Sequence, residues 1–278
     1  MPGIVLEGGT FRPIFSAGVM DALLENNLMF DYCIGVSAGI SNGFSYISKQ
    51  KGRNLEVLLN HRNDKRYLSR RNFIKCRSLF GLDFVYDEIP NRLHPFDWNM
   101  FNNYNGRVLV GVTNARTGKP EYLDGLKSDQ KFTMLRATCA MPIFFPAIEL
   151  NKEFYYDGGL ADPIPIRKSI QDGNNKNLIL LTRPKGYLKE YGRENDIVIR
   201  MMKRKYPNLE DVIKNRPTVY NETISYCEKL EEDGKAVLLR PEYALNSMEK
   251  STEVLRDNYM HGYNMAYRHM ERIKELLI

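Results

Sequence analysis

No run of 18 or more apolar residues occurs in this 278-residue chain, so no segment reads as a membrane-spanning helix. The N-terminus passes straight into Ile4-Val5-Leu6, without the charged region and long apolar region of an export signal. A soluble, unexported, cytoplasmic protein is expected. Cysteine is sparse: Cys33, Cys76, Cys139 and Cys227 show no C-x-x-C spacing, which argues against a disulfide or zinc framework and for free thiols in a reducing compartment. No metal or cofactor is expected. There is no internal repeat, no low-complexity tract and no linker, so residues 1–278 read as a single domain. Histidine is limited to His61, His94, His261 and His269, and none lies in a compact loop after a strand, where the triad histidine of an α/β-hydrolase belongs.

Charge is present but uneven. Forty Lys/Arg against thirty-four Asp/Glu leave a formal charge of +6, while Lys49 to Arg77 alone holds ten basic residues and two acidic ones. Tyr67, Leu68, Phe73 and Ile74 interleave with these charges. That segment reads either as the solvated face of a helical insertion or as a contact with anionic lipid head groups at a membrane surface. No recognition module or Gly-rich RNA-binding signature accompanies it, which sets nucleic acid aside as a partner.

The apolar pattern predicts a buried strand over Gly3–Leu6, a helix from about Pro13 to Asn26, a second strand over Asp31–Gly35, and a helix carrying Ile40, Phe44 and Ile47. This β-α-β-α opening implies a parallel sheet. Further strands are expected over Arg107–Asn114, Glu121–Leu123, in two pieces within 146–156, over Leu178–Thr182 and over Ala236–Leu239. Helices are expected from Ser128 to Met141-Pro142, over Ile197–Lys205 and over Leu209–Glu232. The stripe Leu255, Tyr259, Tyr263, Ala266, Met270, Ile273 and Leu277 predicts one C-terminal amphipathic helix. Residues 50–105 and 185–234 read as helical cap regions around a core of about residues 3–182 plus the C-terminal elements.

Ser37 stands in Gly35-Val36-Ser37-Ala38-Gly39, between a strand and a helix, where small neighbours permit a sharp turn and the helix N-terminus favours negative charge. Asp157, in Tyr155-Tyr156-Asp157-Gly158-Gly159, ends a strand among aromatic residues. Desolvation there would raise its proton affinity, as a carboxylate base requires in the absence of histidine. Glu7-Gly8-Gly9-Thr10 follows the first strand and offers successive N–H groups with little side-chain bulk. Each element alone is as consistent with an ordinary turn.

Taken together and in this order, they resemble the patatin-like phospholipase family. Leu6 to Arg12 is similar to its D/E-G-G-G-x-R-G oxyanion loop, Gly35 to Gly39 to its elbow, and Asp157 to Gly159 to its dyad motif. Arg136-Ala137-Thr138-Cys139-Ala140-Met141-Pro142-Ile143-Phe144-Phe145-Pro146 is similar to the segment that precedes the dyad aspartate. The resemblance spans at least residues 3–182 and implies a three-layer α/β/α fold with a mostly parallel central sheet and helical cap insertions. It implies Ser37 as nucleophile, Asp157 as base, and an oxyanion hole formed by Gly8, Gly9, Thr10 and Ala38. Arg12, Gly35, Gly39, Gly158 and Gly159 would be supporting residues. The implied activity is metal-free hydrolysis of a lipid or phospholipid ester through an acyl-enzyme. Two departures stand out: Thr10 replaces the third loop glycine, and Pro13 replaces the glycine after Arg12. They leave open an alternative, a lipid-binding or regulatory protein of the same fold with little or no turnover.

Overall fold

Short strands whose successive side chains are all apolar must be covered on both faces. The computed structural model describes residues 1–278 apart from Ile143 and the side chains of Lys75 and Cys76. Among the described residues one sheet contains eight strands: β1 Pro2–Leu6, β2 Tyr32–Val36, β3 Arg107–Asn114, β4 Pro120–Asp124, β5 Ile148–Leu150, β6 Glu153–Asp157, β7 Lys176–Leu180 and β8 Ala236–Leu239. Their order is β5-β6-β3-β2-β1-β7-β8, with β4 also on β3. The run from β3 to β8 is parallel, and β4, β5 and β6 pair antiparallel. The helices are α1 Ile14–Glu25, α2 Ser37–Ile47, α3 Arg53–His61, α4 Arg70–Cys76, α5 Trp98–Asn102, α6 Thr133–Thr138, α7 Ile166–Gln171, α8 Glu194–Met202, α9 Leu209–Glu232, α10 Thr252–Arg268 and α11 Met270–Leu276.

The strands distribute their residues alternately between two cores. Ile4, Leu6, Cys33, Val108, Val110, Leu178, Leu180, Val237 and Leu239 join side chains of α1, α2, α10 and α11 on one face. Val5, Ile34, Leu109, Ile179, Ala236 and Leu238 join Ile166 of α7 and Tyr220, Cys227 and Leu230 of α9 on the other. The architecture is the expected three-layer α/β/α arrangement with a mostly parallel sheet. No helix among the described residues is long and apolar enough to cross a bilayer.

The single C-terminal helix expected from the stripe is instead two helices meeting at His269. The physical reason is that the stripe covers two partners: α10 packs along α1, whereas α11 packs over β7 and β8. Cys33 and Cys227 are buried free thiols, whereas the thiol of Cys76 lies outside the described residues.

The basic stretch Lys49–Arg77 is not one face. Arg62 turns inward, with its guanidinium 4.3 Å from the Phe11 ring centroid and hydrogen bonds to the Met248 and Glu249 carbonyls. Arg53 packs over Phe96 and reaches the His94 carbonyl. Tyr67 is buried. Only the α4 end presents Arg70, Arg71, Phe73 and Ile74 together to solvent. In the region 50–105, α3, α4, a helix with π-type turns over Phe84–Leu93, and α5 supply the secondary structure.

The seam between α1 and α10 is close enough that backbone meets backbone. A Cβ on Gly262 would lie 1.9 Å from the Phe15 carbonyl oxygen, and one on Gly18 would lie 2.0 Å from that of Tyr259. Overpacking of this kind costs about 1–3 kcal/mol or more. Gly262→Ala is therefore expected to lower the unfolding free energy by at least about 2 kcal/mol in urea denaturation. An unchanged midpoint would show that the helices can separate freely.

Candidate active site

The site is set by register on β3. Gly111 pairs with Val36 of β2 and with Tyr122 of β4, and the next residue, Val112, pairs with Asp157 of β6 and Glu121 of β4. Since β4 occupies one edge at both positions, β2 and β6 share the other edge and meet end to end there. The residue after Val36 is Ser37, and it emerges beside Asp157. Strands distant in sequence thus deliver a hydroxyl and a carboxylate to one point.

Ser37 opens α2 with φ of 54°, a left-handed conformation that a non-glycine residue adopts under strain and that turns the hydroxyl away from the sheet. Its N–H donates to Thr138 Oγ1 at 2.8 Å, and that hydroxyl donates to the Gly111 carbonyl, so Thr138 clamps the elbow to β3. Gly39 permits the crossing of chains, since a Cβ there would lie 2.4 Å from the Glu7 carbonyl oxygen. The Ser37 hydroxyl lies close enough to the Asp157 carboxylate to favour its ionised form. Asp157 is 3% exposed and also accepts the Gly159 N–H at 2.8 Å. Its backbone is pinned on both sides: its N–H donates to the Ala140 carbonyl at 2.9 Å, and its carbonyl accepts from Thr113 Oγ1 at 2.8 Å.

Burial pushes the Asp157 carboxyl up to about 6, opposed by the hydrogen bonds from Ser37 and Gly159 and by the charge of Arg216. A carboxylate with that affinity is ionised at neutral pH yet more willing to take a proton than an exposed one. Among the described residues, no histidine is hydrogen-bonded to Ser37. His61 packs against His94, His261 accepts the Glu242 N–H, and His269 stands at the α10–α11 junction. Cys139 lies within hydrogen-bonding reach of Ser37, Ser41 and Tyr86, but burial and Asp157 push its thiol up to about 11, which keeps it protonated.

The loop after β1 has a simple hydrogen-bond inventory. Glu7 donates its N–H to Leu180, Phe11 to Ser247 and Arg12 to Gly9. Among the described residues, the N–H groups of Gly8, Gly9 and Thr10 have no protein acceptor. Gly8 faces Ser37 so closely that a Cβ would lie 2.7 Å from the Ser37 Cβ. Ala38 follows in the first turn of α2, where N–H groups lack an intrahelical partner. Gly9 has φ of 146° and Thr10 φ of 58°. A β-branched residue in the left-handed region costs about 1–3 kcal/mol, and the surrounding loop holds it there.

Pro13 precedes α1 with φ of −62°, and its carbonyl accepts from Ala17 N–H and Asn42 Nδ2. A missing N–H at a helix start leaves nothing unpaired. Arg12 is half-buried; its guanidinium covers Gly9 and its Nε reaches Thr182 Oγ1 at 3.4 Å. It braces the loop and is not a solvated surface residue. Glu7 ties the loop to the rest of the fold, accepting from Thr182 N–H at 2.6 Å and from the Tyr220 hydroxyl at 3.1 Å.

Every residue singled out in the sequence for this site therefore converges on it: Ser37, Asp157, Gly8, Gly9, Thr10, Ala38, Arg12, Gly35, Gly39, Gly158 and Gly159. Sequence reasoning missed Thr138, Thr182, Tyr220 and Arg216. Thr138 lay within the quoted 136–146 segment but without an assigned role. The other three carry no local signal, because they reach the site only through β7 and α9.

The fold and this constellation define an α/β protein with a serine at a strand–helix turn and a buried carboxylate partner. Residues 4–169 match the patatin-like phospholipase family, and the chain belongs to that family. Residues 206–278 match a second family, described only as a domain of unknown function. An uncharacterized protein of Escherichia coli K12, YjjU, is 25% identical over 198 residues, covering 65% of this chain and 52% of the relative. The lysophospholipase nte1 of Aspergillus terreus is 25% identical over 173 residues, covering 59% of this chain and 11% of that protein. The chain thus spans about half of one curated relative and about a tenth of the other. The crystal structure of VipD from Legionella pneumophila aligns over 97% of this chain and 66% of its own, with 13% identity and a TM-score of 0.48.

Asp157 gives the site a measurable signature in stability. Its carboxyl ordinarily titrates at 3.8 and here does so at about 6, so the folded state holds the proton more tightly than the unfolded one. The fold therefore weakens as pH rises from about 4 to about 6, and the loss stays constant above that. Asp157→Asn keeps an acceptor for the Gly159 N–H but carries no charge. It is expected to unfold about 2–3 kcal/mol less readily than the wild type at pH 8, with the difference vanishing near pH 4. A variant equally or less stable at pH 8 would show that the carboxylate is not held against its solvation.

Proposed function

We propose that the protein is a serine acyl hydrolase that cleaves carboxylic esters of lipids, in the manner of a phospholipase A or lysophospholipase, and that the whole chain acts as one domain. The observation that carries this reading is the placement of the buried Ser37 hydroxyl against the buried Asp157 carboxylate, beside N–H groups of Gly8, Gly9 and Thr10 that have no protein acceptor among the described residues. Membership of the patatin-like phospholipase family and the name of the fungal relative, a lysophospholipase, support it.

In this reading Ser37 Oγ attacks the ester carbonyl while Asp157 takes its proton. The carbonyl oxygen gathers negative charge against the N–H groups of the Gly8–Thr10 loop and Ala38. Asp157 then returns the proton to the leaving alkoxide as the C–O bond breaks, giving the free alcohol and an acyl-Ser37. Water, deprotonated by Asp157, attacks the acyl carbon and releases the carboxylic acid, restoring the serine. Thr10 tunes the loop by strain, and because removing one oxyanion donor costs about 10²–10³ in rate, an imperfect loop would slow turnover without abolishing it.

The lipid surface meets the protein at α4. Phe73 and Ile74 are 40% and 83% exposed there, and among the described residues Arg70, Arg71 and Arg77 pair with no carboxylate. The segment after α4 is tied to the site by the Leu79 N–H on the Phe144 carbonyl and by the Phe80 ring stacked on Phe145. Exposed apolar side chains flanked by unpaired arginines match an anionic bilayer surface.

Two experiments test this. A fluorophosphonate should add stoichiometrically to the wild type and map to Ser37, Ser37→Ala should take up none, and ester hydrolysis should rise with pH through about 6 as Asp157 ionises. No adduct on folded wild type would move the reading to a lipid-binding protein without turnover. For the surface, Ile74→Glu is expected to reduce hydrolysis of esters in anionic vesicles about tenfold while leaving p-nitrophenyl butyrate hydrolysis unchanged. Equal loss on both substrates would reject α4 as the contact.

A further inference from the structure

Helix α9 delivers a guanidinium to the turn that carries Asp157. Arg216 donates from Nε to the Gly159 carbonyl at 2.7 Å, and the N–H of that same Gly159 donates to Asp157 Oδ1 at 2.8 Å. A single residue thus has its carbonyl on the arginine and its N–H on the carboxylate. The approach is close: a Cβ added to Gly159 would stand 3.1 Å from Asp157 Oδ1 and 3.9 Å from Arg216 Nη2. Among the described residues, the Arg216 side chain has no other hydrogen bond and no carboxylate oxygen within ion-pairing distance.

The helix that carries Arg216 is itself well anchored. One turn further on, Tyr220 donates its hydroxyl to Glu7 at 3.1 Å, and Asn221 exchanges hydrogen bonds of 2.9 and 3.0 Å with the Lys189 backbone. Tyr220, Cys227 and Leu230 bury the same helix against Val5, Ile34, Ile179 and Leu238 of the sheet. Of the side chains facing Asp157, Ser37 from α2 and Thr113 from β3 bring hydroxyls, and Cys139 from the 136–146 segment brings a thiol that keeps its proton. Arg216, from α9, brings the positive charge. A neutral amide would suffice to brace the Gly159 carbonyl, so the brace does not account for the charge. A desolvated guanidinium and a desolvated carboxylate each disfavour the fold, and a separation of a few ångströms lets each offset the other.

We propose that Arg216 is a positioning residue for the reaction at Ser37: through Gly159 it fixes the Asp157 carboxylate in place, and its charge keeps that carboxylate ionised within its enclosure. This rests on the reading of Ser37 and Asp157 as nucleophile and base. The base must be ionised before the serine proton can move to it, and burial with no cation nearby would leave a larger share of it protonated at neutral pH. A direct ion pair would err the other way, since it would hold the carboxyl below its ordinary range and cost it basicity. With Gly159 between them, Arg216 restrains the rise without cancelling it, and Asp157 titrates at about 6. Arg216 lies in the stretch that matches a domain of unknown function, which thereby gains a part in setting the chemistry of the N-terminal motifs.

The test follows p-nitrophenyl butyrate hydrolysis across the pH range for wild type, Arg216→Lys and Arg216→Gln. Both substitutions loosen the turn and are expected to lower kcat about ten- to a hundredfold, with KM within about twofold of wild type. Loss of the charge in Arg216→Gln should also move the midpoint of the kcat/KM profile upward by about one pH unit, the scale on which a nearby cation acts on a carboxylate. Arg216→Lys keeps the charge and should keep the midpoint at about 6. A midpoint in Arg216→Gln equal to that of wild type would overturn the proposal. Urea unfolding at pH 4 and pH 8 reads the same coupling without turnover. Asp157 is protonated at the lower pH and ionised at the higher, so Arg216→Gln should cost more stability at pH 8, and the excess should disappear in the Asp157→Asn background. A cost that is equal at both pH values and in both backgrounds belongs to a purely structural brace and would also overturn it. The coupling, found in a protein that hydrolyses no ester, supports the hold of Arg216 on Asp157 and sinks only the catalytic reading.

Discussion

Strand β3 carries the constraint on which the site depends. At Gly111 its neighbour on the edge opposite β4 is the last residue of β2, and one residue later it is the last residue of β6. Side chains and chain ends at adjacent positions of one edge have no freedom to drift apart, because a slip of a single residue would turn every apolar side chain of the strand to the wrong face. The Thr138 hydroxyl, bonded to the Gly111 carbonyl and to the Ser37 N–H, fastens the elbow to that same point. The left-handed backbone of Ser37 is held by these surroundings rather than by its own preference.

A carboxylate in direct contact with the serine changes the electrostatics of the whole centre. Asp157 must be ionised to accept a proton, yet it is enclosed by β3, the 136–146 segment and the Gly158-Gly159 turn. Its raised proton affinity follows from that enclosure, and the hydrogen bonds from Ser37 and Gly159 keep it from rising further. The same enclosure holds the Cys139 thiol protonated beside it. Burying this carboxylate lowers stability at neutral pH and raises the group's basicity together.

The Gly8–Thr10 loop is not held in place by the region that matches the patatin-like family alone. Glu7, at its start, is held by Thr182 and by Tyr220, and the Asp157 turn is braced by Arg216. Tyr220 and Arg216 lie on α9, in the part of the chain that matches a domain of unknown function. β8, from the same part, extends the central sheet, and α10 packs along α1 immediately after the loop. The N-terminal and C-terminal matches therefore share one sheet and one site.

The sequence by itself determined the parallel opening, all the strands, the elbow at Ser37 and the order of its three motifs. Those features are local: each needs only a period of two, a turn that tolerates no side chain, or a glycine pair within a few residues. It also marked Asp157 as a base candidate, since a strand end among aromatic residues is a desolvated place. The tertiary structure alone decided that Ser37 and Asp157 touch, because their meeting depends on the pairing of both with β3. It likewise split the C-terminal stripe at His269, turned Arg53 and Arg62 inward from a stretch that reads as uniformly basic, and brought Tyr220 to Glu7 and Arg216 to the Gly159 carbonyl. Such outcomes rest on contacts between residues far apart in the chain, and neither periodicity nor composition carries information about which distant segments will share an edge or a cavity.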